Sequence, residues 1–424
     1  MDEVVIFVHP WMWAASMFKD VKGRGLGVLS VVTEAESTRI DPTWLQAHSD
    51  HFIRCAGVVT DVGTVAAYLA EQDLRAVAVV NGLDATLVFA DVLQKDILGL
   101  DLDLTASAVR LNKFEVNEVL RQNGVPSVPT VRITSHEDIA SKEADIRRLG
   151  SPFIAKPAGD TAGMAGVEVL QDVEDLKGYA ERHLGQANGY YPDRPVQEVV
   201  VQRYMSPGRY REFTVDFLSV DGEHECIGIS EIRKDEKGVF RATVTYDVTA
   251  NAEFVVVTDY VRQCLYALKV RWGFSHNEVF WDMRDEVFLV ETNNRYAGQP
   301  VTDLYELSYA RSPLDSLITR KRTMEERVAL RLGHGAAIYL YNTGMDDPQA
   351  LWLGDAKDRA RVVDFRGRGC KAIPVDFADR YDRAKHIGAI VILEGDDAAH
   401  VQSMVDDLVK RDMDAQVFLA TERS

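Results

Sequence analysis

The stretch Asn277-Glu278-Val279-Phe280-Trp281-Asp282-Met283-Arg284-Asp285-Glu286-Val287-Phe288-Leu289-Val290-Glu291-Thr292-Asn293-Asn294-Arg295 decides how the rest of the chain is read. Apolar residues flank the polar pair Arg284-Asp285 on both sides, which is the composition of a β-hairpin closed by a tight turn. With those two residues as the turn, Met283 pairs with Glu286, and counting back sets Glu278 opposite Glu291. Side chains alternate along a strand, so Asn293 shares the face of Glu291 and three oxygen donors converge. Like charges opposed across a ladder repel, and a hard divalent cation such as Mg²⁺ relieves that repulsion while leaving room for water and phosphate oxygens. An arbitrary surface hairpin would leave its acids in water. Here the intervening residues are strongly apolar, so the ribbon is expected to be buried and its carboxylates to require a partner.

Upstream, Phe153-Ile154-Ala155-Lys156-Pro157 reads as a strand that delivers a lysine. The small-residue loop Ala158 to Gly166 follows it and includes Gly163. Glycines let the backbone approach a phosphate closely, and successive N–H groups cradle its oxygens while a lysine offsets charge. The loop does not match the Walker pattern GxxxxGK[ST], and such loops are most often plain turns, so its weight comes from the company it keeps. Lys113 lies in a helix expected over Ala108 to Asn123, which stops at Gly124-Val125-Pro126.

Taken with Tyr296, Ala297 and Gly298, the run from Glu291 with Glu278 upstream resembles the metal-binding signature of ATP-grasp enzymes. The resemblance is nearest to the bacterial L-amino acid ligases that make dipeptides, and it extends over roughly Val79 to Pro300. It implies that Glu278, Glu291 and Asn293 hold one or two Mg²⁺ ions bridging the phosphates of ATP, with Mn²⁺ as the alternative. Arg295 would steady an acyl phosphate, and Gly298 would lie at the substrate. Lys113 and Lys156 would be the phosphate-side lysines, with Gly163 and Gly166 in the loop over the phosphates. Val199 to Met205 would join the two halves of the grasp, main-chain groups of Arg203 and Met205 meeting the adenine edge. Many relatives carry an acid where this chain has Gln202, whose amide oxygen can still accept from an adenine amino group. Glu212 aligns with the acid that holds the ribose hydroxyls. In dipeptide ligases a loop corresponding to Arg233–Val248 covers the substrate, often with an acid and a histidine, but Ala242 and Thr245 stand near those places here. His276 is a candidate substrate contact, although a lone histidine is more often structural.

The expected fold class is α/β and α+β. An N-terminal parallel-sheet domain over residues 1–107 would precede a lid half over 108–205, a catalytic antiparallel half over 206–330 and a small β-rich domain over 331–424. The chain has 48 Lys and Arg against 66 Asp and Glu, a formal charge of −18 that disfavours nucleic acid and anionic membrane as partners. Cys55, Cys226, Cys264 and Cys370 lack the close spacing of a zinc or redox site. With no leader or membrane span legible, the expectation is a cytoplasmic monomer or homodimer acting on a small carboxylic acid and an amine. Two rivals remain. A biotin-carboxylase-like subunit would carry a longer four-glycine loop after Lys156, and a non-catalytic nucleotide-binding module would be expected to lose its metal ligands.

Overall fold

Val4 to Val8 is apolar without interruption because both faces of its strand are covered. In the computed structural model β1 (Asp2–Val8) pairs in parallel with β2 (Gly27–Thr33) and β4 (Leu74–Asn81), and β2 pairs with β3 (His51–Cys55). Val5 and Phe7 pack with α1 (Ala15–Gly23) and α2 (Pro42–His48). Val4, Ile6 and Val8 pack with α3 (Val62–Glu71) and α4 (Leu87–Leu98). The strand order is β3-β2-β1-β4, so the winding reverses between β1 and β4, whose carboxyl ends bound the crevice where open α/β sheets take ligands.

The residues described are 2–11, 14–34, 42–57, 59–159, 166–187, 194–235, 238–246, 253–298, 301–308, 313–321, 334–341, 360–365, 389–395 and 397–414. The expectations at Gly163 and Cys370 lie outside them, as does Ala372–Val375, which the sequence also suggests as a short β run. Among the described residues no helix is long and apolar enough to cross a membrane.

The single helix expected over Ala108 to Asn123 is two: α5 (Leu104–Val109) and α6 (Lys113–Gln122). Asn112 between them is extended, and its side-chain oxygen accepts the N–H groups of Phe114 and Glu115, so a new helix starts there. The break has a use: the Lys113 N–H donates to Ala158 O at 2.8 Å, tying the start of α6 to the end of the lysine-bearing strand.

That strand, β6 (Phe153–Pro157), lies in an antiparallel sheet with β5 (Thr130–Ile133), β7 (Glu168–Leu170) and β8 (Val199–Arg203), ordered β5-β8-β6-β7. One face is closed by α7 (His136–Ser141), α8 (Glu143–Arg148) and α9 (Val173–His183) through Ile139, Ile146, Leu176 and Tyr179. By alternation Ile154, Lys156 and Gln202 point to the other face, toward the rest of the molecule.

The largest sheet contains β9 (Arg211–Val220), β10 (Glu223–Lys234), β11 (Phe240–Tyr246), β12 (Gly273–Trp281) and β13 (Val287–Asn293). It continues through β14 (His334–Leu340), β15 (Ala360–Phe365) and β16 (Ala389–Gly395) in the order β13-β12-β9-β10-β11-β14-β16-β15. The C-terminal strands, expected as a separate small domain, therefore extend the sheet of β9 to β13 through β11 and β14, with α13 (Ala398–Met413) packed on them. On one face Phe213, Val279 and Trp281 bury against α10 (Phe254–Ala267). On the other, Leu218, Ile227 and Phe274 share a core with β1 and with α11 (Val301–Ser308) and α12 (Leu314–Thr319).

Candidate active site

The hairpin brings Glu278 opposite Glu291, by a different route from the one expected. Asp282 N–H donates to Glu286 O and Trp281 pairs with Val287, so the turn holds three residues, Met283 to Asp285, with Met283 at φ 61°. That shifts the pairing by one, and a bulge between Glu278 and Val279, where Val290 is the extra residue on β13, shifts it back. The bulge also turns both Val290 and Glu291 to the same side, where both line a cavity.

Pairing across β9, β12 and β13 arranges that side of the sheet in rows. Glu212, Phe280 and Phe288 form the first row, Thr214, Glu278 and Glu291 the second, and Asp216, His276 and Asn293 the third. The cavity lies between the first two rows and the inner face of the lid. Its lining includes Lys113, Lys156, Gln202, Arg203, Met205, Glu212, Glu278 and Glu291, so eight expected site residues meet in one space. Val128, Ile154, Val167, Phe280 and Val290 give it apolar walls, suited to a flat aromatic base. Gln202 Nε2 donates to Thr130 Oγ1 at 2.9 Å, which fixes the side chain at the cavity wall.

The charges are unevenly matched. Lys113 Nζ lies 2.9 Å from Glu291 Oε1. Burial pushes the Glu291 carboxyl up, but Lys113, helped by Lys156 and Arg295, outweighs it and holds the group below its usual range. Burial and the opposed Glu291 push the Glu278 carboxyl up. Burial, with repulsion from Lys113, lowers the Lys156 ammonium to about 8. Glu212 is ion-paired with Lys234, which also lines the cavity and lies over the Phe240 ring.

Glu278 and Glu291 are half-buried, open to the cavity, with Asn293 buried on the adjoining row. Among the described residues no three His, Cys, Asp or Glu side chains form a metal site by themselves. The donor set instead fits a Mg²⁺ ion that keeps water and phosphate among its ligands. Two further atoms agree: Thr214 Oγ1 and Ser230 Oγ, paired beside Glu278 on the second row, are buried with no hydrogen-bond partner among the described residues.

Besides Asn293, four candidates lie off the cavity wall. His276 Nδ1 is 2.6 Å from Asp216 Oδ1, and the Tyr305 hydroxyl donates to Asp216 Oδ2. Burial alone would lower the His276 pKa, but Asp216 raises it above the usual value. Gly166, at φ 67°, accepts from the Tyr179 hydroxyl at 2.6 Å and packs on Pro157, anchoring the loop end. Gly298 precedes α11, its oxygen accepting the Val301 N–H at 3.0 Å. Arg295 follows β13, and its Nε donates to Asp84 at 3.0 Å. Sequence reasoning did not find Asp84, Asp216 or Tyr305. For Asp84 a signal existed, since it lies just past the carboxyl end of β4 at the reversal of the parallel sheet.

No protein-family model matches the chain. A stretch of 199 residues is 29% identical to the uncharacterized protein y4rH of Sinorhizobium fredii (strain NBRC 101917 / NGR234), covering 47% of this chain and 39% of that protein. The crystal structure of L-amino acid ligase from Bacillus licheniformis superposes with a TM-score of 0.69 over 97% of each chain, at 15% identity. The biotin carboxylase–β,γ-ATP complex from Campylobacter jejuni superposes with a TM-score of 0.64 over 95% of this chain and 90% of that one, at 13% identity. Identities this low speak of fold: the chain has the ATP-grasp fold, in the α/β and α+β class expected.

Proposed function

We propose that the chain is an ATP-dependent ligase that activates a small carboxylic acid, an amino acid or a relative of one, as an acyl phosphate and couples it to an amine. The observation that carries this reading is the opposition of Glu278 and Glu291 on one sheet face, with Lys113 and Lys156 at the same cavity. A carboxylate oxygen attacks the γ-phosphorus of ATP and the bond to the β-phosphate oxygen breaks, giving ADP and the acyl phosphate. Lys156 and Lys113 offset the negative charge that moves during this transfer. Mg²⁺, held by Glu278, Glu291 and Asn293, would supply a Lewis acid to the phosphate oxygens. Arg295 holds the transferred phosphate through its N–H groups while the amine nitrogen attacks the carbonyl carbon. Phosphate then leaves, the nitrogen gives up a proton, and an amide or dipeptide remains.

The apolar slot beside Met205 suits adenine, and Glu212 suits the ribose hydroxyls. The similarity to an L-amino acid ligase supports an amino acid as the acid. The similarity to a biotin carboxylase supports a second reading in which bicarbonate is the acid. A phosphate-release screen separates them: paired amino acids and short acids with ATP and Mg²⁺ or Mn²⁺, beside bicarbonate alone, followed by mass analysis of products. Amine-dependent phosphate release with a matching amide supports the ligase. Release with bicarbonate alone would favour the second reading, and silence with every pair would remove the first.

A further inference from the structure

Arg295 is oriented by a part of the molecule that contributes none of the candidate metal ligands. The turn after β4 grips the chain where β13 ends. Asn81 Nδ2 donates to Asn294 O at 2.9 Å, and Thr86 Oγ1 donates to Asn81 Oδ1 at 2.8 Å to hold that amide in place. Arg110 Nη1 donates to the Asn294 side-chain oxygen at 3.0 Å. Asp84 then uses both carboxylate oxygens: Oδ1 accepts the Asn294 N–H at 2.6 Å and Oδ2 accepts Arg295 Nε–H at 3.0 Å. Arg295 Nη1 donates to Tyr296 O at 3.2 Å, while Nη2 has no hydrogen bond to a described residue.

One carboxylate thus fixes the backbone and the guanidinium together and leaves one nitrogen of the fork for a ligand. We propose that Asp84 is a positioning residue for the ligase reaction, aiming the free edge of Arg295 at the acyl phosphate, so that the parallel-sheet domain takes part in the chemistry. The inference rests on the ligase reading. An unrestrained arginine would sample many rotamers, and a donor that is already aimed stabilises developing charge without reorganising during the reaction.

The test uses the full chain with the acid–amine pair that the phosphate screen identifies. Asp84→Asn is expected to lower kcat by about 10- to 100-fold, the effect of a small misplacement of a reacting group. KM for ATP should change by no more than about two-fold, because the nucleotide site is untouched. Asp84→Glu should recover part of the rate. In an Arg295→Lys background Asp84→Asn should add nothing, because both changes remove one unit. Two results would overturn the inference while leaving the ligase reading intact: an Asp84→Asn protein that melts lower but keeps kcat, or losses that multiply with those of Arg295→Lys. If Asp84→Asn does not fold, Asp84→Glu carries the same comparison with Arg295→Lys. A wild-type chain that releases phosphate with no pair takes both readings down together.

Discussion

Glu291 meets a lysine at 2.9 Å, whereas Glu278 meets chiefly the charge of its cross-strand neighbour. Removing Glu291 therefore takes away a proposed metal donor and the carboxylate 2.9 Å from Lys113, yet the half-buried side chain contributes little to the core. We expect Glu291→Ala to leave less than about 1% of ATP turnover, in line with the loss of a key electrostatic group, with an unchanged circular dichroism spectrum. Turnover near wild type would contradict the metal role. The Lys156 ammonium, lowered to about 8, loses its proton in the free protein as pH rises past that value. kcat/KM for ATP should fall along the same alkaline limb, and Lys156→Arg should move the limb upward because a guanidinium stays charged. A limb that stays in place in Lys156→Arg would assign it to another group. For stability the sign is opposite. Between about 8 and the ordinary 10.5 the unfolded chain binds the extra proton, so this residue favours the folded state more as pH rises through that window.

At the level of elements, the hairpin was legible because a strand's side chains repeat every two residues and only one register opposes its acids. The turn was not legible, since Met283 at φ 61° and the extra residue Val290 are answers to twist and packing that no local pattern announces. Their shifts cancel, which is why a wrong turn led to the right pairing. Lys156 was readable as a lysine delivered by a strand ahead of a small-residue loop, whereas Lys113 and Glu212 were reached only through the family resemblance; all three line the cavity. Asp216 and Tyr305 were not readable, because their partnership spans β9, β12 and α11 and depends on packing. Gly228 makes that packing possible: a Cβ there would lie 2.2 Å from the Tyr305 ring. Gly228→Ala should push Tyr305 off Asp216 and cost about 1–3 kcal/mol, the usual scale of overpacking. A melting temperature equal to wild type would show that α11 gives way freely.

Across the whole molecule, the parallel-sheet domain is joined to the large sheet by an apolar core and by buried polar contacts. Asp91 and Arg110 pair at 2.8 Å with side chains only 3% exposed, and Arg110 reaches on to Asn294. Arg110→Met leaves Asp91 buried without its cation and should destabilise the fold by about 3–5 kcal/mol. Pairing that change with Asp91→Leu should restore much of the loss in a denaturant titration, and a double variant as weak as the single would show that shape, not charge, holds the joint. At the C-terminal end β14 and β16 were legible as apolar runs, β15 was not, and neither was the continuation of the sheet, because strand partners far apart in sequence leave no periodic trace.

That continuation has a bearing on how the chain is made. Thr243 on β11 waits for Ala337 on β14, and β14 in turn waits for β16. During synthesis β11 leaves the ribosome before β14, its outer N–H and C=O groups without their later partners, and pairing between such distant segments is slow. An edge left open until the last strands arrive is a place where another chain can pair, so we expect refolding yield to fall with protein concentration more steeply than the finished protein's stability would suggest, and a yield independent of concentration would contradict this.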